Sequence, residues 1–155
     1  MRVFRIEREK YLDTTLKGVG AALTDGFRWN SRNTYLVYTS ETRALATLEI
    51  SAHLDISEDL PIDRHYVEID IPDSLPLLEV YLEDLPQNWD ALPPGLETQY
   101  LGDDFVMNNE AVALKVPSCI VPQESNYLIN PNHPEAHRIQ VVSSTPISFD
   151  PRLKK

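Results

Sequence analysis

Glu49 is the residue of this sequence best placed to do chemistry. On a helical wheel it falls four positions after Leu45 and three before Ala52, so a carboxylate shares the face of two apolar residues. Burying it without a partner is costly. Either it sits at the edge of that face and reaches solvent, or it is held charged for use on a ligand. Arg28, in Gly26-Phe27-Arg28-Trp29-Asn30-Ser31, carries the planar guanidinium suited to bidentate recognition of phosphate, or else stacks on Trp29 as a surface arginine. Tyr38 either presents its ring to a flat ligand or fills the core. A third region, Val116-Pro117-Ser118-Cys119-Ile120-Val121-Pro122, continues through Glu124, Asn126, Tyr127 and Asn130-Pro131-Asn132-His133-Pro134. It reads as a binding loop beside strands, or as a turn that uses Asn and Pro for backbone reasons.

These residues depend on a series of short elements. Arg2 to Ile6 alternates polar and apolar residues and is predicted as a first strand, followed by a short helical stretch. Leu16 to Arg32, with Gly18, Gly20 and Gly26, reads as an irregular surface segment. Tyr35-Leu36-Val37-Tyr38-Thr39 is a β-prone run. Ser40 stands where a helix N-cap belongs, with Glu41 in the first turn, and the helix is predicted from about Glu41 to His53 with Leu45, Leu48 and Ala52 on its inner face. His65 to Ile71 reads as a strand, Leu77 to Leu82 as a further one, and Pro86 to Gly95 as a loop around Trp89. Gln99 to Asn109 reads as a short helix, and Ala111 to Val116, Ser118 to Val121 and Arg138 to Ser143 as strands. Strands outnumber helices without alternating strictly with them, so an α+β fold is expected over a doubly wound sheet.

Composition narrows the function classes. The chain has 155 residues, enough for one domain with a sizeable core. Its formal charge of −10, from 24 acidic and 14 basic side chains, opposes binding to nucleic acid or anionic lipid and favours a basic protein partner. The N-terminal residues lack an apolar signal core, and no run is long enough to span a bilayer, so a cytoplasmic location is expected. Cys119 is the single cysteine and reads as a small buried side chain, with no nearby histidine to activate its thiol. His133 and His137 have the spacing of a helical metal pair, but Pro131 and Pro134 argue against a helix there and no third ligand is apparent. No glycine-rich phosphate loop of Walker or Rossmann type occurs.

Taken in order, the segments resemble the RES-domain toxins of bacterial toxin–antitoxin modules, named for an Arg, a Glu and a Ser. The likeness spans nearly the whole chain, 1–155, as one RES domain. It rests on Val3-Phe4-Arg5-Ile6, Gly26-Phe27-Arg28-Trp29-Asn30, Val37-Tyr38-Thr39-Ser40 with Ala44, Ala46, Leu48 and Glu49, Val116-Pro117-Ser118, Asn126-Tyr127-Leu128-Ile129-Asn130-Pro131 and His133-Pro134. The resemblance implies mixed sheets with flanking helices, related to ADP-ribosyltransferases, and toxicity through loss of cellular NAD. Arg28, Tyr38 and Glu49 fall on the family's active-site Arg, Tyr and Glu, and Ser118 on its serine. Two departures flank Arg28: Phe27 replaces a second glycine common among relatives, and Asn33-Thr34 replaces a glycine-bearing turn.

If the resemblance holds, the reaction breaks the nicotinamide–ribose bond and builds positive charge on the sugar. Glu49 is then expected to stabilise that charge and Arg28 to clamp the diphosphate. Tyr38 would pack on the nicotinamide or its ribose, and Ser118 would bond the nicotinamide amide or orient Glu49. Arg28, Tyr38, Ser118 and Asn126 are the expected NAD-binding residues. The acceptor is phosphate (an NAD phosphorylase) or water (an NAD glycohydrolase), with ADP-ribosyl transfer to a protein target as the alternative. NAD is substrate, so no cofactor and no metal are expected. The expected protein partner is an Xre-type helix-turn-helix antitoxin that masks the cleft and carries any DNA contact. A non-enzymatic module is the remaining reading, with Arg28 and Glu49 joined as a structural ion pair.

Overall fold

The computed structural model describes residues 1–54 and 60–153. In chain order its main elements are β1 (Arg2–Arg8), a 3-10 turn (Glu9–Thr14), α1 (Val19–Ala22), β2 (Gly26–Phe27), β3 (Asn30–Ser31), β4 (Val37–Ser40) and α2 (Arg43–His53). There follow β5 (Arg64–Asp70), β6 (Leu77–Glu79), α3 (Leu96–Asn108), β7 (Ala113–Pro117), β8 (Ser125–Ile129) and β9 (Gln140–Pro146). Seven strands form one sheet in the order β6-β7-β8-β4-β1-β5-β9, while β2 and β3 make a separate hairpin. All neighbours in the large sheet are antiparallel except β6 and β7. The α+β expectation holds. No described helix is long and apolar enough to cross a membrane.

Strand alternation supplies the sheet with two apolar faces, each with its own core. On one face Val3, Val37, Val67, Ile69, Tyr127 and Ile129 pack together. On the other, Leu114, Val116 and Leu128 meet Trp29, Trp89 and Phe105. The second core seats the β2–β3 hairpin, and α3 clamps that hairpin from outside. Gly102 of α3 makes the clamp possible: a Cβ there would lie 1.6 Å from the Trp29 carbonyl oxygen, so only glycine permits this approach. Gln99 donates to the Phe27 carbonyl (3.0 Å), and Asp103 accepts from the Ser31 amide (2.9 Å).

Several sequence expectations change in detail. The segment Leu16–Arg32 is not wholly irregular, since it holds α1 and the hairpin. The cap of α2 is Thr42, whose side chain accepts from the Leu45 amide at 3.0 Å, and Ser40 instead ends β4. The inner face of α2 is Leu45 and Ala46; Leu48 and Ala52 are exposed. Burial of Leu45 alone contributes about 2 kcal/mol. Helix α3 begins at Leu96, earlier than expected. No strand forms over Ser118–Val121, because the Ser118 hydroxyl accepts from the Ile120 and Val121 amides, both at 3.1 Å, and closes a local turn. Conversely, residues 125–129, read as part of a loop, form a strand in the interior of the sheet.

Candidate active site

Glu49 lies on the sheet-facing side of α2, above the end of β4 and the start of β8. Its Oε1 accepts two hydrogen bonds, from the Ser118 hydroxyl at 2.7 Å and from Asn126 Nδ2 at 2.8 Å. Ser118 is fully buried. Its oxygen already accepts two backbone amides, so its single proton is committed to the carboxylate. Of the two roles expected for Ser118, this geometry matches orientation of Glu49. Among the described residues, Oε2 of Glu49 has no hydrogen-bond donor, which leaves an acceptor free for a ligand.

Arg28 sits at the tip of the β2–β3 hairpin. Its Nη1 donates to the carbonyls of Trp89 (2.7 Å) and Ala91 (3.0 Å), which tie the guanidinium to the loop over residues 86–95. Its Nε and Nη2 have no partner among the described residues. Trp29 does not stack on it; that ring is buried and tilted against Trp89, with centroids 6.4 Å apart. Local backbone chemistry shapes the hairpin. Gly26 adopts φ 116°, and a Cβ there would meet the Asn30 carbonyl oxygen at 2.6 Å. Asn33, which departs from a glycine-bearing turn, takes the left-handed conformation itself with φ 70°, as asparagine tolerates.

Tyr38 joins hairpin to sheet. Its hydroxyl donates to Asn30 Oδ1 at 2.6 Å and accepts from the Trp29 amide at 3.2 Å, while Asn30 is itself fully buried. Burial pushes the phenol far above the usual tyrosine range, against the opposing pull of the Trp29 amide. The Phe27 ring meets the Tyr38 ring edge-on at 5.6 Å and lies 5.8 Å from His53, one turn beyond Glu49 on α2. Phe27, the other departure from the family pattern, thus wedges the Arg28 hairpin against the helix that carries Glu49.

Arg28 and Glu49 form no ion pair within 4.0 Å among the described residues, which removes the premise of a structural pair. Both charges bear on the Cys119 thiol. Burial raises this thiol, the Arg28 charge lowers it, and the Glu49 and Asp90 carboxylates raise it further. Cys119 is partly exposed, contrary to the expected buried side chain, because the Ser118 turn carries it out of the sheet. The farther asparagines behave as a structural turn: Asn130 is fully buried, donates to Asn109 Oδ1 at 2.9 Å and accepts from the Asn132 amide at 3.0 Å. Two surface depressions of about 110 and 460 Å³ lie along the β6–β7 edge around Glu79, Tyr81 and Lys115, and the site residues line neither.

The family model described as RES domain matches residues 2–150 of the chain. The chain belongs to the RES-domain family of toxins. This RES domain is 42% identical over 140 residues to the Prs ADP-ribosylating toxin of Sphingobium sp. (strain YBL2), covering 89% of this chain and 86% of that one. It is 35% identical over 156 residues to Toxin Res of Yersinia enterocolitica, with 99% and 100% of the two chains covered. Toxin Res of Pseudomonas putida KT2440 is 37% identical over 136 residues, with coverage of 86% and 90%. In fold, the RES domain superposes on a chain of the Mycobacterium tuberculosis MbcT–MbcA toxin–antitoxin complex with a TM-score of 0.75 at 14% identity, covering 95% of this chain and 84% of that one.

Two residues of the site escaped sequence reading. Ser40 carries a helix-cap signature but faces Asn126 across the β4–β8 pair, its hydroxyl 2.8 Å from Asn126 Oδ1. Asn30 looks like a turn residue and is the anchor of Tyr38. Cross-strand pairing decides both positions, and no local pattern encodes it.

Proposed function

We propose that this RES domain is the toxin of a type II toxin–antitoxin system and destroys NAD by cleaving its nicotinamide–ribose bond. The observation that carries this reading is a carboxylate fixed at one oxygen by Ser118 and Asn126 and open at the other, together with an arginine anchored through Nη1 alone. Nicotinamide leaves as a neutral base and takes the bonding electron pair, so acid catalysis is dispensable. What the reaction needs is a held dinucleotide and negative charge beside the sugar as it becomes an oxocarbenium-like cation.

Glu49 supplies that charge. Ser118 and Asn126 bind its Oε1 and aim Oε2 at a ribose hydroxyl, so the carboxylate needs no reorganisation as charge develops. Arg28 presents Nε and Nη2 to the diphosphate while Nη1 stays on the loop carbonyls. Tyr38 acts mainly through its ring, because its hydroxyl is spent on Asn30 and Trp29.

The acceptor is water or inorganic phosphate. NAD and water give nicotinamide, ADP-ribose and a proton; NAD and phosphate give nicotinamide and ADP-ribose 1-phosphate. A second reading, ADP-ribosyl transfer to a protein target, is favoured by the likeness to the Prs ADP-ribosylating toxin of Sphingobium. The test is incubation of purified chain with NAD, with and without phosphate, followed by product identification. Phosphate-stimulated NAD loss with a phosphorylated sugar supports phosphorolysis, whereas labelled protein in lysate given labelled NAD supports transfer.

A toxin of this kind works in the cytoplasm and is silenced there by an Xre-type helix-turn-helix antitoxin covering the cleft. The fold likeness to a chain of a toxin–antitoxin complex supports such a partner, and the net charge of −10 suits a basic one.

A further inference from the structure

We propose that Ser40 is a positioning residue for Glu49, acting through the side-chain amide of Asn126. The inference rests on the reading of Glu49 as the group that stabilises the sugar cation, and it assigns a task to a residue outside the Arg, Tyr, Glu and Ser set.

The hydrogen-bond inventory fixes the direction of each link. Glu49 Oε1 can only accept, so the atom of Asn126 that faces it at 2.8 Å must be the donor Nδ2. The flipped amide would set two oxygens against each other. With Nδ2 committed to Glu49, Oδ1 points the other way, onto the Ser40 hydroxyl 2.8 Å away. Ser40 must therefore donate. Its proton locks the amide, and the locked amide aims one proton at the carboxylate.

Backbone pairing holds the relay. Ser40 and Asn126 are direct partners in the β4–β8 register, so their side chains stand side by side on one face of the sheet. Ser40 is only 4% exposed, which keeps water from replacing its proton. It is also the last residue of β4, two positions before the Thr42 cap of α2. The same short turn therefore places both ends of the relay: Ser40 beneath Asn126, and α2 with Glu49 above it. Ser118 reaches Oε1 from the turn that follows β7, independently of this path. Two donors converging on one oxygen restrain the carboxylate there, and Oε2 is left without a donor among the described residues.

Removal of the Ser40 proton frees the Asn126 amide to flip, and half of its orientations then repel Glu49. The groups assigned to the diphosphate and the ring, Arg28 and Tyr38, stay in place, so the loss falls on turnover far more than on NAD binding. Ser40→Ala is expected to lower kcat about tenfold, less than removal of a group in direct contact with developing charge, with KM for NAD within about twofold of the parent value. Ser40→Thr, which keeps the hydroxyl on a strand-compatible residue, is expected to recover most of that rate. In the Asn126→Ala background, Ser40→Ala is expected to have no further effect, because its only route to Glu49 is gone. A parental kcat for Ser40→Ala, or losses that multiply in the double variant, would overturn the proposal.

A second readout does not depend on NAD consumption. The side-chain amide protons of Asn126, followed by nuclear magnetic resonance, are expected to shift and to exchange with solvent about tenfold faster in Ser40→Ala than in the parent. Unchanged shifts and exchange in a folded Ser40→Ala chain overturn the relay whatever the reaction proves to be. A parent chain that leaves NAD intact counts against the NAD reading alone, and the amide measurement still decides for or against Ser40.

Discussion

Arg28 and Glu49 are held apart: among the described residues no ion pair within 4.0 Å joins them, and each is bound by partners of its own. Each charge has its own support: two loop carbonyls for the arginine, Ser118 and Asn126 for the carboxylate. Neither consumes the other's charge, and a ligand with a phosphate and a sugar hydroxyl can use both.

Cys119 can report this arrangement. Alkylation requires the thiolate, and burial holds this thiol above its usual value, so labelling by iodoacetamide should be slow near neutral pH and rise as pH climbs through the raised pKa. The Glu49 charge raises the thiol and the Arg28 charge lowers it. Glu49→Gln is therefore expected to speed labelling about threefold at fixed pH, and Arg28→Gln to slow it by a similar factor, as for charges at a partly exposed site. Equal rates in all three proteins would place the two charges away from Cys119. NAD at saturating concentration is expected to shield the thiol.

Ser118→Ala removes a donor to Glu49 and the acceptor of two turn amides. We expect turnover to fall about tenfold or more and stability to drop by about 1–3 kcal/mol, measured by urea unfolding. A loss of stability with full activity would confine Ser118 to the turn.

Glycines at the hairpin and in α1 give opposite expectations. Gly102→Ala forces a Cβ to 1.6 Å from the Trp29 carbonyl oxygen, so α3 must move off the hairpin. A cost of about 3 kcal/mol or more is expected, with a clear drop in Tm. Gly20→Ala meets nothing within 4 Å inside α1 and is expected to stabilise by about 0.5–1 kcal/mol. A neutral Gly102→Ala would contradict the close approach of α3.

Tyr38 couples stability to alkaline pH. Its folded-state pKa lies above the unfolded value near 10, so the neutral phenol is favoured in the folded chain. The resulting stability is fully present below pH of about 10 and is lost as pH rises beyond it. Tyr38→Phe should weaken the protein at neutral pH, because buried Asn30 loses the shorter of its two donors and the Trp29 amide loses its acceptor, yet flatten the decline above pH of about 10. Unfolding curves from pH 7 to 11 would reveal an unchanged slope if the hydroxyl were free.

Periodic elements were readable from the chain, and pairing was not. Alternation marked β1 and β5, because side-chain period is a local fact; helical spacing put Glu49 on the face of Leu45 and left open whether it reached solvent, and two residues of the face so drawn, Leu48 and Ala52, are exposed. The same reasoning set Ser40 as a cap, since Ser before Glu41 carries that signature, whereas Thr42 takes the role and Ser40 stays in the sheet. The stretch through Glu124, Asn126 and Tyr127 read as a binding loop or a turn, whereas residues 125–129 form an interior strand. They occupy one because Asn126 spends its polarity on Ser40 and Glu49. Arg28, Tyr38, Glu49 and Ser118 were marked by resemblance, but which groups they bond needed the distances.

The most direct test of the account is nicotinamide release from NAD by the purified parent chain and by Glu49→Gln. The parent is expected to release nicotinamide, and Glu49→Gln, folded and able to bind NAD, to do so at least about a hundredfold more slowly. Equal release by the two proteins, or none by the parent, would contradict it.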